Sequence, residues 1–201
     1  MKIVIGLPAF NEEEKLENII NKIRNFADEI IICNDGSTDS TGSIANKMGA
    51  IVINHEKNLG YGAAIKSIFS KAKEIEADIL VTFDADGQHR SQDIQSVIKP
   101  ILDDIADIVI GSRFLNNEEE MPKYRKLGIK VITNFANISS EIKLTDSQSG
   151  FRSYNKKTLS EIHLTESGMG VSTEILIKSN KMKLRIKEVP IKILYEGKTS
   201  T

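Results

Sequence analysis

The sequence predicts an α/β fold in which helices cover both faces of a mostly parallel central sheet. Short apolar runs alternate four times with segments whose apolar residues recur at helical spacing within the first 115 residues. These runs are apolar throughout, which is typical of parallel strands buried on both faces. The connections between runs and helices are short, as in successive strand–helix units. We therefore expect the polar loops at the strand ends to gather at one edge of the sheet.

The five expected strands of the first half are "KIVIGL", "EIIIC", "AIVIN", "DILVTF" and "DIVIG". Asn11 is the expected N-cap of the helix that follows the first strand. Pro100 is expected to kink or end the helix that follows the fourth strand. After Phe114 the pattern changes: "TDSQSGFRSYN" is turn-rich, "VSTEILIKSNK" is helical, and "KLRIKEVPIKILY" alternates as a strand does.

Length and composition limit the classes of protein that fit. A chain of 201 residues and 22.3 kDa has room for one sizeable core, so a single domain over residues 1–201 is expected. Lys and Arg number 27 against 28 Asp and Glu, which gives no electrostatic reason to expect a nucleic-acid partner.

Cysteine content and hydropathy predict the compartment. The single cysteine, Cys33, lies in an apolar run and is expected to be a buried, reduced thiol. No apolar run approaches the roughly 18 residues of a membrane span, so a cytoplasmic location is expected. The sequence stops after "YEGKTST" without a closing element, so truncation of a longer natural protein stays open as an alternative.

Five loops of unusual composition follow the five strands in order: "PAFNE", "NDGSTD", "NLGYG", "DADGQH" and "GSRF". In open α/β sheets, ligands bind outside the carboxyl ends of the strands. These loops therefore predict one ligand-binding edge. Turn-forming residues alone account for "NDGSTD" in isolation, and "NLGYG" is not a dinucleotide fingerprint, so the prediction depends on the loops together.

Asp84 and Asp86 point the same way from the end of the fourth strand, because alternate strand residues share a face. Two like charges there repel each other unless a cation lies between them. Mg²⁺ or Mn²⁺ binds through one or two carboxylates together with substrate phosphates. The pair therefore predicts a metal site for a diphosphate ligand. The alternative is that one aspartate caps the helix beginning near Ser91.

Taken in order, these motifs resemble glycosyltransferase family 2, whose fold is the GT-A (Rossmann-like) sandwich. The likeness adds "TDSQSGFR" and "EVPI" to the five loops and covers most of the chain. "DADGQH", "GSRF" and "SGFR" together are most similar to the branch of dolichyl- and polyprenyl-phosphate mannosyl- and glucosyltransferases. The resemblance implies that residues 1–115 form the nucleotide-sugar-binding half and 116–201 the acceptor-side half, in glycan or cell-envelope biosynthesis.

The resemblance also implies roles for residues. Asp35 accepts a hydrogen bond from the base, Asp84 lies near the ribose and sugar, and Asp86 holds the metal on the diphosphate. Asn34 departs from the family pattern, in which a second aspartate is common, so the role of that position is open. The implied nucleotide-sugar-binding residues are Pro8, Ala9, Phe10, Glu12, Asp35, Gly62, Asp84, Ala85 and Gln88.

The implied reaction moves a hexose, with inversion, from a UDP- or GDP-linked donor to an acceptor, with a polyprenyl or dolichyl phosphate favoured. The implied catalytic residues are Asp86, Arg113, Asp146 and Glu174. A hydroxyl acceptor would need a base, for which Asp146 and Glu174 are the candidates. Glu174 has an alternative as the partner of Lys178 on one helix. "TDSQSGFR" has an alternative as a turn before a strand, with Arg152 exposed.

A lipid-phosphate acceptor would need cations, for which Arg113, Lys123 and Arg125 are the candidates. Lys123 and Arg125 precede an apolar helix, a pattern typical of peripheral contact with the cytoplasmic face of a membrane. A solvated helix start is the alternative.

Other classes stay open from sequence alone. A saccharide hydroxyl is the alternative acceptor. A phosphatase of the haloacid dehalogenase type also places two aspartates at a strand end, but its motif follows the first strand and continues with Thr or Val. A non-catalytic nucleotide-sugar-binding protein is the third alternative. Three separated histidines do not predict a metal site, and only His89 lies on the ligand edge.

Overall fold

The computed structural model describes residues 1–115 and 144–193. Strands and helices alternate through the first part, and a shorter mixed series follows in the second. A 3₁₀ turn, Arg24–Phe26, extends the first helix. The strands are β1 Ile3–Ala9, β2 Glu29–Asn34, β3 Ile51–Asn54, β4 Ile79–Thr82, β5 Ile108–Ser112, β6 Arg152–Asn155 and β7 Ile186–Pro190. The helices are α1 Glu13–Ile23, α2 Thr41–Lys47, α3 Tyr61–Glu74, α4 Asp93–Leu102, α5 Lys156–Glu161 and α6 Val171–Lys181.

The strands form one sheet in the order β3-β2-β1-β4-β6-β5-β7. Strands β1 to β4 pair in parallel, as do β5 and β7. Strand β6 is antiparallel to both of its neighbours, β4 and β5. The predicted fold class, a mostly parallel central sheet, is therefore confirmed.

Two apolar cores lie on opposite faces of the sheet. One packs α1, α2 and α4 against alternate residues of the central strands, including Ile5, Leu7 and Val81. The other packs α3, α5 and α6 against the intervening residues, including Val4 and Leu80. Strands β1, β2, β4 and β5 bury residues on both faces, which explains their continuous apolar runs. Cys33 lies in the second core as a free, buried thiol, and burial raises its pKa to about 12.

The turn-rich segment "TDSQSGFRSYN" ends in strand β6. Arg152, Ser153 and Tyr154 are buried in the sheet. Ser153 Oγ donates a hydrogen bond of 2.7 Å to the Val97 carbonyl, and the Tyr154 ring meets that of Phe69 edge-on. Because the polar groups are satisfied internally, a turn-like composition is compatible with a central strand.

The N-cap expected at Asn11 is wrong. The N-cap residue of α1 is Glu12, whose side chain makes no capping hydrogen bond. Asn11 has a φ of 55°, and its side-chain oxygen accepts a hydrogen bond of 2.9 Å from the Thr38 amide. Asn11 therefore ties the loop after β1 to the loop after β2. Pro100 lies in the last turn of α4, which ends at Leu102, close to the end predicted for it.

Asp107 joins the starts of β5 and β7 to the end of the antiparallel strand β6, on the far side of the sheet. Its carboxylate accepts hydrogen bonds from the Arg185 guanidinium, the Arg185 amide and the Asn155 side chain. The hydrogen bonds from Arg185, despite the opposing effect of burial, lower the pKa of Asp107 from 3.8 to about 2. The ionised carboxylate is thus the form that stabilises this corner of the fold.

We expect Asp107→Asn to lower the free energy of unfolding at neutral pH by about 1–2 kcal/mol, because hydrogen bonds to a charged acceptor are lost. The folded-state pKa of about 2 lies below the ordinary 3.8, so this stabilisation is present above pH 3.8 and is lost as the pH falls toward 2. Urea unfolding between pH 2 and 7 should show the difference from wild type closing over that interval.

Asp104→Asn is the matched control, since Asp104 also pairs with Arg185 but its side chain is 90% exposed. Its effect should stay below about 0.5 kcal/mol. A pH-independent difference between wild type and Asp107→Asn would contradict the assignment.

Candidate active site

A cavity of about 410 Å³ opens at the carboxyl ends of the parallel strands. The loops after β1, β2, β3, β4 and β5 contribute to it, together with residues 148–150 and the start of α6. This is the edge that the sequence predicted for ligand binding. The predicted site residues that line the cavity are Pro8, Ala9, Phe10, Glu12, Asp35, Asp84, Ala85, Asp86, Gln88 and Arg113.

Other predicted residues lie elsewhere. Gly62, Asp146 and Glu174 are not among the residues that line the cavity. Lys123 and Arg125, the expected contacts of an acceptor phosphate, lie outside the described residues.

The two aspartates of "DADGQH" both face the cavity. Asp84 Oδ2 accepts a hydrogen bond of 2.9 Å from His89 Nε2, and Asp86 Oδ1 accepts one of 2.9 Å from the Gln88 amide. Asp84 Oδ1 and Asp86 Oδ2 accept none from the described residues. Helix α4 begins at Asp93 and has no side-chain cap, so neither aspartate fills the capping role considered as the alternative.

His89 is a site residue to which the sequence assigned no role. Its side chain is 5% exposed and packs against the rings of Phe83 and Phe151, with centroids 5.6 Å and 5.1 Å away. Nε2 faces the Asp84 carboxylate and therefore donates the hydrogen bond between them. Nδ1 is buried and has no hydrogen-bond partner among the described residues. In the sequence, only its position on the ligand edge indicated that His89 belongs to the site.

Gly150 and Tyr61 form the wall beside Asp84. A Cβ atom at Gly150 would lie 2.8 Å and 2.9 Å from the two Asp84 carboxylate oxygens and 2.6 Å from the Tyr61 hydroxyl. Burial raises the pKa of Tyr61 well above 10, and the Asp84 charge raises it further, so the phenol stays neutral. Only a glycine lets the "SGFR" backbone approach Asp84 this closely.

Arg113 reaches the cavity from the end of β5 and is held by Asp146. The guanidinium donates two hydrogen bonds to the carboxylate, from Nε to Oδ2 at 2.6 Å and from Nη2 to Oδ1 at 2.8 Å. The Asp146 side chain is fully buried, and the Arg113 and Gln148 amides also donate to it. The structure therefore favours a positioning role for Asp146 over the role of base that the sequence suggested.

Glu174 also differs from the expected role of base. Its carboxylate pairs with Lys178 Nζ at 2.7 Å and accepts hydrogen bonds from the Thr165 and Glu166 amides and the Thr165 hydroxyl. Although burial opposes the shift, these contacts lower the pKa of Glu174 to about 2. The alternative, an ion pair with Lys178, is the arrangement the structure shows, and Glu174 is not placed to take a proton from a ligand in the cavity.

The alternative in which Arg152 is exposed is wrong. The residue is 1% exposed, and its guanidinium donates to three backbone carbonyls, those of Ser147, Ser149 and Ser172. These hydrogen bonds hold the loop before β6 against the start of α6. Arg152 thereby fixes the segment that carries Gly150 past Asp84.

Gly62 does not serve as a ligand contact in this geometry. It lies in the first turn of α3, and a Cβ atom there would lie 2.5 Å from the Gly168 carbonyl oxygen and 2.7 Å from the Ser167 carbonyl carbon. The next amide, that of Ala63, donates to the Ser167 carbonyl at 3.1 Å. The glycine therefore permits close packing of α3 against the loop before α6.

The donor set at the cavity fits a cation that is shared with a bound ligand. The described residues contain no group of three or more His, Cys, Asp or Glu side chains arranged around a metal position. Asp84 and Asp86 together supply two carboxylates, the number that Mg²⁺ or Mn²⁺ uses when phosphates complete its coordination. The pKa of nearby Glu12 is raised, chiefly because the side chain is partly buried. The positive charge of Lys15 opposes this shift, and the negative charge of Asp86 adds to it. This end of the cavity is thus acidic, while Arg113 supplies positive charge.

A mostly parallel α/β sheet with a paired-aspartate loop at its ligand edge is the arrangement expected of the GT-A class. The family model described as "Glycosyl transferase family 2" matches residues 4–163. The chain belongs to glycosyl transferase family 2, a family of transferases, which confirms the resemblance seen in its motifs.

Two curated relatives match nearly the whole chain. A UDP-N-acetylglucosamine–dolichyl-phosphate N-acetylglucosaminyltransferase of Methanococcus voltae is 40% identical, over 96% of this chain and 86% of the relative. A dolichyl-phosphate hexose transferase of Haloferax volcanii is 30% identical, over 95% of this chain and 81% of the relative.

A solved structure supports the fold. Glucosyl-3-phosphoglycerate synthase from Mycobacterium tuberculosis, crystallised with Mn²⁺ and UDP-glucose, matches with a TM-score of 0.78. The match covers 99% of this chain and 72% of the synthase, at 21% sequence identity. At this identity the likeness concerns the GT-A fold.

We expect Gly62→Ala to lower the free energy of unfolding by about 1–3 kcal/mol, because the new methyl group overpacks the contact with Ser167 and Gly168. Helix propensity alone predicts the opposite sign, a gain of up to about 1 kcal/mol. Denaturant unfolding of the purified variant distinguishes the two.

Gly168→Ala is the control, because a Cβ atom there meets only a Glu166 side-chain oxygen, at 3.8 Å. Its effect should stay within about 0.5 kcal/mol. A Gly62→Ala variant at least as stable as wild type would show that the close approach is not a constraint.

Proposed function

We propose that the protein transfers a hexose, with inversion, from a UDP- or GDP-linked donor to a polyprenyl or dolichyl phosphate, with Mg²⁺ or Mn²⁺ bound at Asp84 and Asp86. The observation that carries this proposal is one cavity in which two partly unbonded carboxylates lie together with an arginine fixed by a buried aspartate. The two carboxylates suit a metal-bound diphosphate, and the arginine suits a second phosphate. The two dolichyl-phosphate relatives support the choice of acceptor.

The donor would lie along the carboxyl ends of β1, β2 and β4. Pro8, Ala9, Phe10 and Glu12 would border the base and ribose, and Asp35 would accept a hydrogen bond from the base. Asp84 and Ala85 would face the ribose and sugar, and Gln88 would reach the sugar or the metal's shell. All of these residues line the cavity, which makes the set mutually compatible.

The metal would be held by Asp86 together with Asp84. When bound, a divalent cation neutralises the charge that develops on the leaving diphosphate. The protein's own contribution is to keep the carboxylates in place. His89 fixes Asp84 through Nε2, and the Gln88 amide fixes Asp86, so neither side chain has to be reoriented when the ligand binds.

The ion pairs of the two predicted general bases favour a phosphate acceptor. Asp146 is bound to Arg113, and Glu174 is bound to Lys178, so neither is placed to deprotonate a hydroxyl in the cavity. A phosphate monoester is already ionised near neutral pH and needs a cation rather than a base. Arg113 would orient it for attack on the face of the sugar opposite the leaving group.

A lipid-linked acceptor also leads us to propose peripheral contact with the cytoplasmic face of a membrane. Lys123 and Arg125 are the proposed contacts for its phosphate and for anionic head groups. Within residues 1–115 and 144–193, no helix combines the length and apolarity needed to cross a bilayer.

The test is a transfer assay with Mn²⁺, radiolabelled UDP- and GDP-hexoses, and matched acceptors that differ only in the phosphate, a polyprenyl phosphate and the corresponding polyprenol. We expect transfer to the phosphate alone. Asp86→Asn should lose metal-dependent donor binding, by about a hundredfold in affinity, while its thermal unfolding stays close to that of wild type.

Asp103→Asn is the control, because Asp103 forms a surface ion pair with Lys99 away from the cavity. Equal transfer to the polyprenol would favour a hydroxyl acceptor. Release of phosphate from a phosphomonoester would favour a phosphatase, and donor binding without transfer to either acceptor would favour a non-catalytic protein. Unchanged donor affinity in Asp86→Asn would overturn the metal assignment.

A further inference from the structure

Asp35 belongs to a partly buried hydrogen-bonded chain that we call the Asp35 cluster, consisting of Asp35, His55 and Ser67. His55 Nδ1 lies 2.6 Å from Asp35 Oδ1, and His55 Nε2 lies 2.8 Å from Ser67 Oγ. The side chains of His55 and Asp35 are 10% and 5% exposed. The three residues come from the end of β2, the end of β3 and the middle of α3, so only the folded chain brings them together.

The proton positions in the cluster follow from the chemistry of its ends. An ionised carboxylate only accepts hydrogen bonds, so Nδ1 of His55 carries a proton and donates it to Asp35. His55 Nε2 faces Ser67 Oγ, which can donate to it or accept from it. The imidazole is therefore held at both nitrogens, and its orientation toward Asp35 is fixed.

Two backbone amides complete the shell around Asp35. The Leu59 amide donates to Oδ1 at 3.0 Å, and the Gly60 amide donates to Oδ2 at 2.9 Å. Gly36 allows this, because a Cβ atom there would lie 2.3 Å from the Lys57 carbonyl carbon and 2.4 Å from the Asn58 amide. The loop after β3 thus crosses directly over the end of β2.

Asp35 has limited acceptor capacity left for a ligand. A carboxylate offers about four lone-pair sites, and the described protein groups fill three of them. Asp35 still lines the cavity despite its burial. The remaining position, on Oδ2, accepts one further donor and repels an acceptor. Uracil and guanine present a ring N–H, whereas the corresponding ring nitrogen of cytosine and adenine is an acceptor.

From this geometry we infer that His55 is a positioning residue that makes Asp35 prefer nucleotide donors whose base carries a ring N–H, uracil or guanine, over those with cytosine or adenine. The inference rests on the proposed nucleotide-sugar function and adds the residue that sets its base specificity. His55 acts through Asp35 and does not line the cavity itself.

The spacing of the cluster also resembles that of an Asp-His-Ser nucleophilic triad, but the surroundings of Ser67 do not suit that chemistry. Ser67 lies in the middle of α3, where backbone amides are committed to the helix's own hydrogen bonds. They are not available as donors for a developing oxyanion. Ser67 is also not among the residues that line the cavity.

The experiment measures base discrimination, since a purely structural role for His55 would not change it selectively. Calorimetry with Mn²⁺ gives the affinities of wild type, His55→Leu and His55→Asn for UDP, GDP, CDP and ADP. Wild type should prefer UDP or GDP to CDP and ADP. His55→Leu should weaken the preferred ligand by about tenfold and leave CDP and ADP nearly unchanged, because an orienting charged hydrogen bond is lost.

His55→Asn should recover most of the preference, because its amide nitrogen takes the place of Nδ1. His163→Leu is the matched control, an exposed histidine outside the cavity, and should behave as wild type. Wild-type preference that persists in His55→Leu, or an equal loss for all four ligands, would overturn this inference alone. Failure of wild type to bind any nucleoside diphosphate would overturn the proposed function and the inference with it.

Discussion

The structure of the site depends on the repulsion between two carboxylates, those of Asp84 and Asp86, at the end of a buried strand. The protein bonds one oxygen of each, through His89 and the Gln88 amide, and leaves the other without a partner among the described residues. The arrangement is consistent with a site completed by its ligand.

The rest of the fold holds these carboxylates in register with their partners. Strand β6 inserts between β4 and β5, so that Gly150 passes beside Asp84 and the loop before it reaches Arg113. Arg152 secures that loop through three carbonyls, and Asp146 fixes Arg113. The antiparallel strand thus places Arg113, the positive group of the cavity, on the same side as the Asp84 carboxylate.

The sequence predicted the sheet and the cavity edge because apolar periodicity and strand-end placement are local signals. It placed Asp84, Asp86 and Arg113 correctly at the cavity for that reason. It did not reveal the contacts of Gly62 and Glu174 or the antiparallel pairing of β6, because these depend on residues elsewhere along the chain. His55 looked isolated in the sequence because its partners belong to two other elements.

The most direct measurement is amide hydrogen exchange of residues 84–89 in wild-type protein without ligand, with Mn²⁺ alone, with a nucleoside diphosphate alone, and with both. If the carboxylate pair is completed by a metal and a diphosphate, protection of this loop should rise strongly only when both are present. Protection that is the same in all four conditions, in protein that binds the nucleotide, would contradict the account.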